Sequence, residues 1–333
     1  MADRWLVVLW LTNRCNLNCS YCYADAGKGG QDMTFETAEK IMESLKGHAL
    51  KIQFAGGEPM LNFSLAEQIC QYAREKQIDA VFQMQTNGIL LNDETVQAIR
   101  RYGVSVGVSL DGIPQINAKT RGESVRVVNG LRLLAEYGIS VGINTVVTGE
   151  NVKHLPELVD FAYYLGNVGG IGLDILRNAG RAVQNQEKLH ITAAEIRKAL
   201  LKMEQRRNEL ELLTGRTLEI REIALAQKRL QGKGRKDEYC YASCGRSVVV
   251  MPDGELYPCG SLREASYHMG NVETFEASRT IRLIPQTPPK CGGCSFAPYC
   301  PGGCPSRRIR GGEDLDCALL RTAFEIAEER MKN

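Results

Sequence analysis

The chain has no run of about 20 apolar residues, so no membrane-crossing helix is expected from it. The early apolar stretch from Trp5 to Leu11 is too short for the core of a secretion signal, and it leads straight into a cysteine loop. A charge excess is lacking too. Forty-one basic residues face 39 acidic ones, a net charge of +2, which gives no footprint for nucleic acid or an anionic membrane. A phosphate loop is also missing. Gly27-Lys28-Gly29-Gly30 lacks the hydroxyl residue after the lysine and the glycine spacing before it. It reads instead as a mobile glycine loop. What remains is a globular composition, 44% hydrophobic and 24% charged over 333 residues. That length suffices for one large domain plus a smaller one, with the cytoplasm as the expected location.

Cysteine is what the chain has in quantity. Twelve in such a chain favour metal or cluster ligation over disulfides. Cys15, Cys19 and Cys22 sit within eight residues, spaced C-x3-C-x2-C. The apolar stretch before them reads as a buried strand, so the thiols lie on a loop at its C-terminal end. Thiolates are soft ligands suited to iron–sulfur clusters or zinc. Three cysteines on a four-iron cube leave one iron open for a substrate or cofactor. Zinc would want a fourth ligand, and Asn16, Asn18 and Ser20 are poor candidates. Unrelated core cysteines do not usually cluster in this way.

This stretch resembles the signature of the radical S-adenosylmethionine (SAM) enzymes. The resemblance implies a cluster whose open iron chelates SAM and cleaves it to a 5′-deoxyadenosyl radical, with Tyr21 placed against the adenine. Ala55-Gly56-Gly57-Glu58-Pro59 follows the second expected strand. Alone, a Gly-Gly turn is usually structural; one strand after the cysteine loop, it matches the family's Gly-Gly-Glu-Pro motif. Gly56, Gly57 and Glu58 would then bind the SAM amino group. Gln83, Gln85, Thr86, Asn87 and Gly88 end the third strand and resemble a Thr-Asn-Gly segment near SAM or substrate. The resemblance also implies ribose or carboxylate contacts for Ser109 and Arg121. An arginine fork suits a carboxylate, the alternative being a solvated surface charge. Asn144 and Leu173 are ribose and adenine neighbours on the same basis.

Strands and helices alternate along residues 1–185. Expected strands cover 50–54, 81–85, 104–110, 141–147 and 171–175; expected helices cover 34–45, 63–76, 93–101, 124–136, 152–165, 192–213 and 217–230. Six strands in alternation imply parallel βα units and an α/β fold. Closure is not legible from periodicity; the resemblance implies a partial (β/α)6 TIM-like barrel, with chemistry at the C-terminal strand ends. Residues 186–238 read as a helical connector, with a basic linker from Gln231 to Lys236.

Residues 239–333 hold Cys240, Cys244, Cys259, Cys291, Cys294, Cys300, Cys304 and Cys317. Asp253-Gly254 between apolar segments signals a hairpin. The pattern resembles the SPASM domain of many radical SAM enzymes, which carries two auxiliary four-iron clusters. The resemblance implies Cys240, Cys244, Cys259 and Cys304 on one, and Cys291, Cys294, Cys300 and Cys317 on the other. The chain would thus hold three [4Fe-4S] clusters as well as SAM. Two structural zinc sites are the alternative, since C-x2-C pairs also serve zinc. Cys70, left over, reads as a core residue.

The expected activity is oxidative modification of a ribosomally made peptide or protein, forming a thioether or carbon crosslink. A flavodoxin- or ferredoxin-like donor would supply electrons, and a separate protein or another surface would bind any leader. A small-molecule enzyme of haem-pathway or carbinol-oxidising type is the alternative. Sulfatase maturation ranks lower, because those relatives carry Asp after the cysteine matching Cys259 and this chain has Gly260. A zinc-binding or electron-transfer protein ranks last.

Overall fold

The computed structural model describes residues 4–233, 238–283, 289–310 and 313–332. Residues 234–236 of the expected basic linker lie outside them. Nine strands form one sheet: β1 (Trp5–Trp10), β2 (Leu50–Ala55), β3 (Ala80–Thr86), β4 (Ser105–Ser109), β5 (Val141–Val147), β6 (Val168–Ile175), β7 (Glu219–Ile220), β8 (Ser247–Val250) and β9 (Leu256–Tyr257). Their order is β7-β6-β5-β4-β3-β2-β1-β8-β9. All neighbours are parallel except the β8–β9 hairpin, which turns at the expected Asp253-Gly254.

The helices are α1 (Phe35–Ser44), α2 (Phe63–Glu75), α3 (Asp93–Tyr102), α4 (Pro114–Thr120), α5 (Ser124–Glu136), α6 (Leu155–Leu165), α7 (Gln186–Leu189), α8 (Ala193–Thr214), α9 (Arg221–Leu230), α10 (Pro305–Ile309) and α11 (Glu313–Lys332). The expected alternation is present as six βα units. The helix expected over 217–230 starts at Arg221, because Glu219 and Ile220 extend the sheet beside β6. Helices α4, α7, α10 and α11 are additions to the sequence reading. Helix α11 packs on α8 and α9, so the segment after residue 186 builds barrel wall. Glu204 on α8 takes a two-pronged ion pair from Arg330 on α11, at 2.7 and 2.5 Å.

Two-residue periodicity decides what the barrel holds. Leu50, Ile52 and Phe54 of β2 are fully buried, as are Val106 and Val108 of β4 and Ile171, Leu173 and Ile175 of β6, or nearly so. Burying each such side chain contributes about 1.5–3 kcal/mol. The alternate residues on the other face are Gln53, Gln85, Ser109, Asn144 and Asp174. Successive side chains on a strand point to opposite faces. One face therefore packs on helices, and the polar face lines a cavity where a closed eight-unit barrel would have a packed core.

Candidate active site

The cysteine loop leaves β1 and is tied down from several sides. Arg14 pairs with Asp32, Nε donating at 3.0 Å, and Thr12 Oγ1 donates to the same carboxylate at 2.5 Å. Cys15 N–H donates to Gly27 O at 2.6 Å, so the glycine run is part of the anchorage. Arg181 Nε donates to Cys19 O at 2.9 Å, and Asn185 Nδ2 to Ser20 O at 3.0 Å. Ser20 N–H donates to Thr120 O at 3.0 Å.

The Gly-Gly-Glu-Pro turn is bolted to this loop. Gly57 N–H donates to Thr12 O at 2.8 Å and Glu58 N–H to Arg14 O at 2.9 Å. A Cβ on Gly56 would lie 2.5 Å from Thr12 O, and one on Gly57 would lie 2.1 Å from Arg14 O. What these glycines let approach is thus the neighbouring backbone as well as any ligand. Gly57→Ala is expected to force that backbone apart and cost about 1–3 kcal/mol. Urea denaturation measures this, and a change below about 0.5 kcal/mol would show that the two loops are not locked together.

Glu58 is buried and directs its carboxylate at the end of β3. Thr86 Oγ1 donates to Oε1 at 2.6 Å, Met60 N–H to Oε1 at 3.1 Å, and Asn87 N–H to Oε2 at 2.8 Å. Burial raises its carboxyl pKa, and these donors offset part of the rise. Oε2 keeps acceptor capacity.

Arg121 is no surface charge: its side chain is 11% exposed. It lies beside Asp111, which is fully buried, with Nε 3.1 Å from Oδ2 but without a well-aimed hydrogen bond. Asp111 also accepts from Tyr21 Oη, from Thr120 Oγ1 at 2.8 Å and from Val146 N–H at 3.1 Å. Arg121 stacks over the Tyr21 ring at 5.3 Å. Asp111, which the sequence reading does not single out, is the counter-ion that lets a guanidinium sit in this wall.

These groups surround one cavity of about 590 Å³ at the C-terminal strand ends. Cys15, Cys19, Cys22, Tyr21, Gly56, Gly57, Glu58, Ser109, Arg121 and Asn144 all line it. Leu173 does not. It belongs to the outward set of β6 and faces a separate cavity of about 260 Å³ beside α9 and α11, while its neighbour Asp174 faces inward. Counting by twos from Asp174 would have shown this in the sequence. Arg177, Arg181 and Arg221 line the central cavity as well, unforeseen because they come from segments outside the strands or beyond the sixth.

A four-iron cluster and SAM fit this donor set. Burial pushes the Cys15 thiol up to about 11, against the Leu17 N–H, and the negative potentials of Glu58, Cys19 and Cys22 add to the rise. Adjacent thiols, with Cys15 and Cys19 held up by burial, suit a site whose ligands lose their protons when metal binds. An open acceptor on Glu58 and the unsatisfied Nε of Arg121 match the ammonium and carboxylate of an amino-acid zwitterion.

The C-terminal cysteines divide in space. Burial pushes Cys240 up to about 11, and the nearby Cys304 and Cys259 contribute. Cys244 Sγ donates to Cys240 O at 3.2 Å. Cys259 and Cys304 are linked through Ser261 and Ser306, whose hydroxyls are 3.1 Å apart. Cys300 is raised by burial, with Cys291, Cys317 and Cys294 adding to it. Among the described residues no three His, Cys, Asp or Glu side chains converge as ligands of one metal ion would. Cys240 also lines the central cavity.

A family model described as the Radical SAM superfamily matches residues 11–162. An uncharacterized protein of Methanocaldococcus jannaschii is 34% identical over 80% of this chain and 88% of its own length. The Fe-coproporphyrin III synthase of Methanosarcina barkeri is 37% identical over 47% of this chain and 41% of its own. A serine-type anaerobic sulfatase-maturating enzyme of Klebsiella aerogenes is 26% identical over 91% of this chain and 80% of its own. Among solved structures, native anSMEcpe with bound AdoMet and the Kp18Cys peptide superimposes with a TM-score of 0.82 at 23% identity, covering 98% of both chains. SuiB of Streptococcus suis bound to its precursor peptide SuiA gives 0.68 at 18% identity, covering 94% of this chain and 74% of the other. With the cysteine loop, the Gly-Gly-Glu-Pro turn and the parallel partial barrel assembled around one cavity, the chain belongs to the radical SAM superfamily, with anaerobic sulfatase-maturating enzymes among its relatives.

Proposed function

We propose that this protein oxidises a ribosomally made peptide or protein, closing a thioether or carbon crosslink. The observation that carries the reading is Cys240, a C-terminal cysteine that lines the same cavity as Cys15, Cys19 and Cys22. When bound, a reduced cluster at the first three supplies the electron that cleaves SAM, and auxiliary clusters on the C-terminal cysteines supply an electron exit. Glu58 and Arg121 would hold the two ends of the SAM zwitterion, with Tyr21, Ser109 and Asn144 around the nucleoside. The peptide substrate would lose one hydrogen atom to the fragment that SAM cleavage releases. It then gives up one proton and one electron as the new bond closes.

Among the described residues the carboxylates that line the cavity are Glu58, assigned above to the SAM ammonium, and Asp174. A Cβ on Gly260 would lie 3.0 Å from the Trp10 ring, so an aspartate there would need that ring to move. Burial would raise Asp174, but Arg177 and Arg307 outweigh it and hold its carboxyl at about 2. It stays ionised and is a weak base.

Haem-pathway chemistry on a small molecule is the second reading, favoured by the 37% match over 166 residues to the Methanosarcina barkeri enzyme. Either reading places the protein in the cytoplasm with a flavodoxin- or ferredoxin-like donor; the first adds a leader-binding partner or surface. The test is mass spectrometry of short peptides encoded beside the gene, after anaerobic incubation with reconstituted enzyme, SAM and reductant. Loss of two hydrogens, in step with 5′-deoxyadenosine, is expected. Unchanged peptides together with conversion of an iron porphyrin would overturn the peptide reading in favour of the second.

A further inference from the structure

Four polar side chains form a hydrogen-bonded chain across the floor of the central cavity. Arg221 Nη1 donates to Asn144 Oδ1 at 3.0 Å, and Asn144 Nδ2 donates to Gln85 Oε1. Gln85 Nε2 donates to Ser109 Oγ at 2.8 Å. The chain lies over two glycines. A Cβ at Gly107 would come within 2.5 Å of Gln85 Oε1, and one at Gly172 within 2.4 Å of Arg221 Nη1. Arg221 cannot swing freely, because Nε donates to Glu222 at 2.9 Å and Nη2 to Leu173 O at 3.1 Å.

The direction of this chain is fixed at one end. A guanidinium has only donors and does not lose its proton in proteins. Asn144 must therefore turn its oxygen toward Arg221 and its amino group toward Gln85. Gln85 must accept with its oxygen and turn its amino group toward Ser109. Ser109 then receives a hydrogen bond and keeps its own proton for another partner. Among the described residues nothing accepts that proton, and Ser109 lines the cavity.

We propose that Arg221 is a positioning residue that sets the polarity of this chain, so that Ser109 presents an obligatory O–H donor to an acceptor oxygen of SAM. The inference rests on the reading that this cavity takes SAM. It assigns Ser109 one role toward SAM, donor and not acceptor, and makes that role depend on a residue three hydrogen bonds away.

The test is the SAM dissociation constant of the anaerobically reconstituted full chain, measured by equilibrium dialysis. Ser109→Ala is expected to weaken SAM by about tenfold. Asn144→Asp keeps the size and the acceptor for Arg221 but has no donor. Gln85 must then turn over, donate to residue 144 and take the Ser109 proton for itself. It too should weaken SAM by about tenfold, and Asn144→Asp combined with Ser109→Ala should be no weaker than Ser109→Ala alone. A purely structural or charge effect of Asn144→Asp would persist in the Ser109→Ala background, and additive losses would overturn the proposal. Gly172→Ala displaces Arg221 without substituting any member of the chain. It provides the same cycle should Asn144→Asp not fold, and unchanged SAM affinity in it would also overturn the proposal. Wild-type protein that fails to bind SAM would instead remove the cavity reading, and the proposal with it.

Discussion

Replacing Cys291 by alanine is expected to leave SAM cleavage near the wild-type rate while product formation falls by at least about a hundredfold. Cys291 sits with Cys294, Cys300 and Cys317, and none of the four lines the central cavity. An interaction needed only after hydrogen abstraction should not affect formation of the radical. The loop should also survive the substitution. Cys300 N–H donates to Phe296 O at 2.8 Å, and Phe296 stacks on Phe324 of α11 with ring centroids 5.3 Å apart. That packing holds the segment without the Cys291 thiol. Timed assays of 5′-deoxyadenosine and of product on one sample separate the two steps. Normal product would show that the second cysteine set is not needed for turnover. Loss of both would make it a folding element.

Asp111→Asn is expected to cost about 3–5 kcal/mol of stability, the range for removing one partner of a buried ion pair. Asp111 is fully buried, accepts hydrogen bonds from Tyr21, Thr120 and Val146, and forms an ion pair with Arg121. An asparagine can still accept from Val146 N–H through one oxygen. Its amino group then faces the Tyr21 and Thr120 hydroxyls that had donated to Oδ2, and the Arg121 charge loses the carboxylate beside it. Tyr21 is part of the cysteine loop and Thr120 accepts from Ser20 N–H, so the defect reaches the loop directly. Urea denaturation of the two proteins, with Thr120→Val as a milder comparison at about 1 kcal/mol, measures the effect. An Asp111→Asn protein within 1 kcal/mol of wild type would show that this cluster does not secure the loop.

The barrel was legible because its strands and helices carry opposite periodicities in turn. The β5 span of 141–147 and the α5 span of 124–136 match the structure residue for residue. The cysteine loop and the Gly-Gly-Glu-Pro turn were legible because cluster chemistry needs particular atoms at fixed spacing. What escaped depends on tertiary contact. Nothing local marks Arg221 as the residue that reaches across Gly172 to Asn144, or Asp111 as the partner of Arg121. Leu173 was misplaced because the resemblance was followed where strand parity pointed the other way. Helix α4 was missed because Pro114–Thr120 is short and half polar, and it forms where it can close over Asp111.

The pairing of β8 with β1 sets an order of events during synthesis. Leu6 lies beside Ser247 in the register, so one edge of β1 has no neighbour until the chain has grown past Cys240 and Cys244. At ~5–20 residues per second, the ribosome takes roughly 10–50 s to cover that distance. For that interval the nascent barrel presents an open apolar edge of the kind that invites pairing with other chains. The strand left waiting is the one that leads into Cys15. A ribosome stalled before Ser247 should therefore hold a barrel whose cysteine loop hangs from an unfinished sheet, and metal loading of that loop would follow completion of the C-terminal hairpin.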